Sequence, residues 1–111
     1  MTTDWQPSAS LDIIRQRAGL YKTIRRFMEE RDIMEVQTPV LSHFGNTDPN
    51  LESFRTLFHP PSEPVPVRYF LNTSPEFAMN RLIAAGSGSI YQICKVFRDK
   101  EIGPNHQPEF T

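Results

Sequence analysis

The chain has 111 residues, of which 23% are charged and 38% hydrophobic, with a net charge of −1. That is the balance of one soluble domain, able to bury roughly 65% of its extended surface. A nearly neutral chain exerts no global pull on nucleic acid, which excludes a protein that coats DNA or RNA but leaves room for a local nucleotide pocket.

Residues 1–10 read as a flexible lead, and "MTTDWQPSAS" lacks the basic-then-apolar order of a secretory signal. Ser8 or Ser10 is placed to cap a helix running from Leu11 to about Arg31. Ile13, Leu20, Ile24 and Phe27 recur at helical spacing, with Ile14, Ala18, Tyr21 and Met28 beside them. Arg15, Arg17, Lys22, Arg25, Arg26 and Arg31 fill the remainder as a solvated face; the alternative, an RNA-facing surface, needs more than six cations on one helix. "IMEVQTP", Ile33 to Pro39, predicts a short extended segment stopped by proline, and residues 42–50 a turn-rich loop.

Phe54 to Phe58 and Val67 to Asn72 predict two strands. Between them "HPPSEPVP" holds four of the ten prolines and suits an exposed hairpin connection. "TSPEFAMNRLIAAG" is punctuated as a helix, with Ser74 to cap, Pro75 at the first position, Glu76 in the first turn and Gly86 to stop it. Ser89 to Phe97 is apolar on both alternating sides, which predicts one central strand. Cys94 lies in that run as a small buried hydrophobe, and as the sole cysteine it cannot form an internal disulfide. No apolar run approaches the roughly 18 residues of a membrane span. A cytoplasmic protein without a membrane partner is the expectation.

The last stretch carries the chemistry. Arg98 is the residue type that forks onto a phosphate, and Glu101, His106, Glu109 and Phe110 follow within a few positions. An acid, an imidazole and an aromatic ring could meet a base, a phosphate tail and a stacking face. No glycine-rich phosphate loop of the Walker or Rossmann kind is present. Read singly, Glu76 could equally be a first-turn acid facing the helix dipole, and Phe110 could be ordinary core. His43 and His59 read as surface residues.

"VFRDKEIGPNHQPEFT" resembles motif 2 of class II aminoacyl-tRNA synthetases in its lysyl form. "RDIMEVQTPVL" is similar to the end of motif 1, closing on Pro39 at the dimer interface, and "TSPEFAMNRL" to the segment between the motifs that holds the amino acid. The resemblance covers about Leu11 to Thr111. Within the family, "WQPSAS", "TSPE", "YQICKVFR" and the short lead are nearest the branch without an anticodon barrel, the elongation factor P–lysine ligases. An enzyme that reads no anticodon has no use for that barrel.

The resemblance implies an α+β fold, an antiparallel sheet flanked by helices, and a homodimer. It implies ATP with Mg2+ bound through the phosphates. Lysine or (R)-β-lysine would be the activated substrate, and elongation factor P the acceptor. Arg98 would be catalytic, gripping the α-phosphate. Asp99, Lys100, Glu101, His106, Gln107 and Phe110 would share the ATP site, with Glu101 or its neighbour at the adenine amino group, His106 near the terminal phosphates and Phe110 on the ring. Ser74, Pro75 and Glu76 would face the amino acid, and no residue of the chain would ligate metal directly. Three positions depart from the pattern: Lys100 stands where an acid is usual, Gln107 replaces an Asn, and Gln37 replaces the Glu before Thr38-Pro39. Two alternatives stay open, a lysyl-tRNA synthetase portion that charges tRNA and a non-catalytic dimerisation or binding module. The return strand of motif 2 and all of motif 3 are not among these residues, so the chain is expected to be part of an enzyme, inactive by itself and prone to self-association.

Overall fold

The computed structural model describes residues 5–111. Of the expected lead, residues 1–4 lie outside the described residues, and residues 5–10 form exposed turns and bends. Helix α1 then runs Leu11–Glu29. Its start is the one the sequence predicts: the Ser10 hydroxyl accepts from the Ile13 amide at 3.2 Å, and Asp12 sits in the first turn. Ile33 N–H reaches back to the Met28 carbonyl at 3.0 Å and Asp32 N–H to Glu29 at 3.1 Å, with Asp32 at φ +56°. This is the Schellman exit, with an aspartate in the left-handed place that glycine usually fills. Replacing Ser10 by Ala is expected to remove about 1 kcal/mol of helix stability. Ser10→Asp should restore it, read as helical ellipticity and melting.

Strand β1, Met34–Glu35, pairs in parallel with β5, Ile90–Tyr91. Three further strands, β2 (Leu41–Ser42), β3 (Arg55–Phe58) and β4 (Val67–Leu71), form an antiparallel sheet in the order β2-β4-β3. The proline-rich segment is the β3–β4 hairpin connection, as expected, with Phe58 opposite Val67. Helix α2 spans Glu76–Ala84, and Gly86 at φ +93° ends it. Finally β6, Val96–Phe97, pairs antiparallel with β7, Glu109–Phe110.

The α+β class holds, with three departures in detail. One pair, β1–β5, is parallel; each strand follows a helix, and the chain between them is long enough for the crossover a parallel pair needs. The expected continuous strand Ser89–Phe97 is broken between Tyr91 and Val96. The ladder with β1 closes on the Val36 N–H to Tyr91 carbonyl bond at 3.0 Å, and the Gln92 side chain then takes over ahead of Pro39, which has no N–H: its oxygen accepts from Thr38 N–H at 3.0 Å and its amide donates to the Thr38 hydroxyl at 2.9 Å. Ser74 does not cap α2. Pro75 occupies the cap with no side-chain bond, which leaves Ser74 one residue outside.

The interior is thin. Among the described residues only Val96 and Thr73 are buried, each 6% exposed. Neither helix has a buried residue. The radius of gyration is 17.7 Å, against about 13 Å for a compact chain of roughly this length.

Candidate nucleotide site

The site is a hairpin docked on the end of β4. Beyond Leu71 the chain leaves the sheet, and Asn72 becomes a bridge: its N–H donates to the Val40 carbonyl at 2.9 Å and its carbonyl accepts from Phe97 N–H at 2.9 Å. This joins the segment after Pro39, the "TSPE" segment and β6. Arg98 follows β6. Its backbone N–H pairs with the Pro108 carbonyl at 2.9 Å, which continues the β6–β7 ladder. Its Nε donates to the Thr73 carbonyl at 3.3 Å, and its guanidinium lies 5.1 Å from the centre of the Phe110 ring. Phe110 stands opposite Val96, so Arg98 and Phe110 are diagonal neighbours on one face of the hairpin.

Asp99 N–H bonds the Glu52 carbonyl at 2.9 Å, and its carboxylate accepts from Lys100 N–H at 2.8 Å. Lys100 takes φ +62°, which turns the chain away. Glu101 is half-buried. Gly103 and His106 exchange backbone bonds at 3.0 and 3.3 Å, a second small turn that carries His106 and Gln107 out into solvent. The structure therefore brings Arg98, Phe110 and the "TSPE" backbone together, and it sets His106 and Gln107 apart at the hairpin tip.

Ser74 and Pro75 line a small cavity of about 90 Å³ together with Asn46, Ser53, Asn72 and Thr73. The Asn72 side-chain oxygen is enclosed and has no hydrogen-bond partner. Glu76 opens α2 and is exposed. Pro39 is exposed at the rim of the same cavity.

Three residues that sequence reasoning passed over complete the site: Asn46, Glu52 and Thr73. Asn46 Nδ2 donates to the Thr73 hydroxyl at 2.8 Å. A usable signal was the Asn46-x-Asp48-x-Asn50 spacing, since such residues fold loops by bonding backbone amides two residues on.

A larger cavity of about 520 Å³ shares no residue with this cluster; Arg25, Asp32, Glu35 and Tyr91 help line it. The Glu35 carboxylate accepts from Arg25 Nε at 2.9 Å and raises that guanidinium's already high pKa, first through the hydrogen bond. Both partners are well exposed, so the pair adds little stability. Burial, then the Glu35 charge, raises Tyr91.

Cys94 is half-buried and not fully enclosed, and burial pushes its thiol pKa up. The neutral thiol is the favoured form, so this contribution to stability is present below the unfolded thiol's pKa and fades as pH rises through the folded one. Alkylation of Cys94 is expected to lag that of a short cysteine peptide at pH 8 and to catch up only at higher pH.

This docked hairpin, with its arginine and aromatic ring beside a strand-to-helix turn, belongs to a known class of catalytic domain. The chain is a member of the family "tRNA synthetases class II (D, K and N)", which it matches over residues 2–111. Within that class it is similar to proteins named elongation factor P–(R)-beta-lysine ligase. It is 53% identical to that of Vibrio campbellii over 111 residues, all of this chain and 34% of the relative. It is 51% identical to that of Histophilus somni over the same extent, and 51% identical over 107 residues to that of Pseudoalteromonas translucida, 96% of this chain and 33% of the relative. The chain thus spans about a third of the length of the curated relatives it matches. Among the described residues no helix is long and apolar enough to cross a membrane.

Proposed function

We propose that residues 1–111 supply the first half of the adenylate-forming site of a ligase that activates lysine or (R)-β-lysine and passes it to a lysine of elongation factor P. The observation that carries this reading is the Arg98 guanidinium, held against the Thr73 carbonyl in the "TSPE" turn that follows β4 and beside the Phe110 ring. An arginine gripped by Nε keeps its terminal N–H groups for a bidentate phosphate partner. The adjacent ring offers a face to a purine.

In this reading the substrate carboxylate attacks the α-phosphorus of ATP, and pyrophosphate leaves. Arg98 stabilises the charge that develops on the α-phosphoryl oxygens. The acceptor amine then attacks the acyl carbon, AMP leaves, and the amine gives up a proton. Lys100 adds positive charge along the hairpin, His106 is the residue assigned to the terminal phosphates, and Glu101, Asp99 and Gln107 complete the nucleotide edge. Magnesium brought in with the phosphates would neutralise their charge. Ser74, Pro75 and Glu76 form the amino-acid side. The exposed Glu76 carboxylate suits a substrate rich in ammonium donors. A homodimer through the Pro39 region belongs to the same proposal.

The test is ATP–pyrophosphate exchange by the complete polypeptide that carries this chain, with L-lysine and with (R)-β-lysine, followed by transfer to elongation factor P. Exchange with (R)-β-lysine and labelling of the factor are expected. A strong preference for L-lysine together with tRNA charging would overturn the reading in favour of a lysyl-tRNA synthetase. Residues 1–111 alone are expected to show no lysine-dependent exchange, because this reading places the motif 3 side of the pocket in the rest of the enzyme.

A further inference from the structure

The loop between β2 and β3 reaches the site at two points, Thr73, whose carbonyl holds Arg98, and Asp99, the residue after it. Gly45 packs close against the Phe70 ring; a Cβ there would sit 3.3 Å from two ring atoms. Asn46 N–H is held by the Ser53 hydroxyl at 3.0 Å, and Asn46 Oδ1 accepts from Asp48 N–H at 2.8 Å. The loop is therefore fixed by its own bonds before it touches the site. From this base Asn46 Nδ2 reaches Thr73, and the Glu52 carbonyl takes the Asp99 amide.

Thr73 is the pivotal residue. It lies past the end of β4, so no sheet ladder fixes its carbonyl, yet that carbonyl is what holds Arg98 Nε. Its side chain is buried, and a buried hydroxyl needs a partner, which Asn46 provides. We infer that Asn46 is a positioning residue, acting through Thr73 to set the plane of the Arg98 guanidinium, with Glu52 fixing the next residue from the same loop. The bond from Arg98 to Thr73 is long, 3.3 Å, so its geometry tolerates little drift of the carbonyl. Releasing the Thr73 hydroxyl frees the carbonyl to rotate, and the guanidinium loses the orientation a bidentate phosphate contact demands.

This inference rests on the proposed role of Arg98, and the two are separable. In the complete ligase, Asn46→Ala and Thr73→Val are each expected to lower kcat for ATP–pyrophosphate exchange about 10-fold, with the KM for the amino acid unchanged. Adding Asn46→Ala to Arg98→Ala should cause no further loss, because the positioned group is already gone. A purely structural role for Asn46 would instead lower the fraction of active protein and would add to the Arg98→Ala defect. Three outcomes decide the matter. If Arg98→Ala leaves exchange intact, the proposed function falls and this inference with it. If Arg98→Ala abolishes exchange while Asn46→Ala and Thr73→Val keep wild-type kcat, only the positioning role falls. If the double variant is worse than Arg98→Ala alone, Asn46 acts independently of Arg98 and the relay is wrong.

Discussion

Replacing Arg98 by Ala in the complete form of the proposed ligase is expected to lower ATP–pyrophosphate exchange by about 10²- to 10³-fold, the scale for removing one preorganised group from a developing oxyanion. The expectation follows from where the residue sits. Arg98 is half-buried, and its Nε is committed to the Thr73 carbonyl. In the proposed role, that contact aligns the guanidinium before a nucleotide would arrive, and no reorganisation would be needed as charge built up on the phosphoryl group. Stability should change far less, since what the fold loses is one long hydrogen bond and one contact with Phe110. Together those contribute about 1–2 kcal/mol. Arg98→Lys is the sharper variant. It keeps the charge but has neither the planar fork nor an Nε to meet Thr73, so exchange should fall nearly as far. Full activity in Arg98→Lys would show that charge alone suffices and that the Thr73 contact is incidental.

The parts of this architecture written locally were legible in the sequence. Ser10, the helical spacing that follows it and the aspartate in the first turn specify α1 without help from the rest of the chain. The proline run between Phe58 and Val67 admits almost nothing except a hairpin connection. What could not be read depends on a distant partner. Leu41–Ser42 is a strand only because β4 offers an edge, and its flanking Pro39 argues against one. Ser89 to Phe97 has the apolar pattern of a continuous strand. It breaks because the neighbouring strand makes its last ladder bond at Val36 and Gln92 bonds sideways to Thr38, 54 positions away.

The same division runs through the site. Arg98 and Phe110 were found because they fall within one short stretch that resembles motif 2, and the hairpin does set them on one face. His106 belongs to the same stretch, but the turn at Gly103 carries it outward, a consequence of backbone bonds that residue types do not announce. Asn46 and Thr73 were missed because their roles exist only across separations of 27 and 25 positions. The Asn46-x-Asp48-x-Asn50 spacing in "FGNTDPN" signals a loop that folds on itself, but residue types do not say that the same loop also bonds Thr73.

Purified alone, residues 1–111 are expected to self-associate as concentration rises, seen as a size-exclusion peak that moves to earlier elution and a melt that depends on protein concentration. The reason is an unfilled interior. A chain whose described residues bury only Val96 and Thr73 hides too little apolar surface to offset its own ordering entropy. The apolar groups are present but uncovered: Leu11, Leu20 and Phe27 on α1, Phe77 and Ile83 on α2, and Leu57 and Phe58 on β3 are each about half exposed or more. β3 is also an edge strand of the β2-β4-β3 sheet, and its unpaired side is a template for another chain. Surfaces of this kind are covered in a stable protein by more chain or by another copy. Leu57→Lys on the edge strand should therefore reduce association without restoring a compact shape, because the helices remain uncovered. A clean monomer at high concentration, with a radius of gyration near the compact value instead of 17.7 Å and a cooperative melt, would show that these faces close on one another in solution.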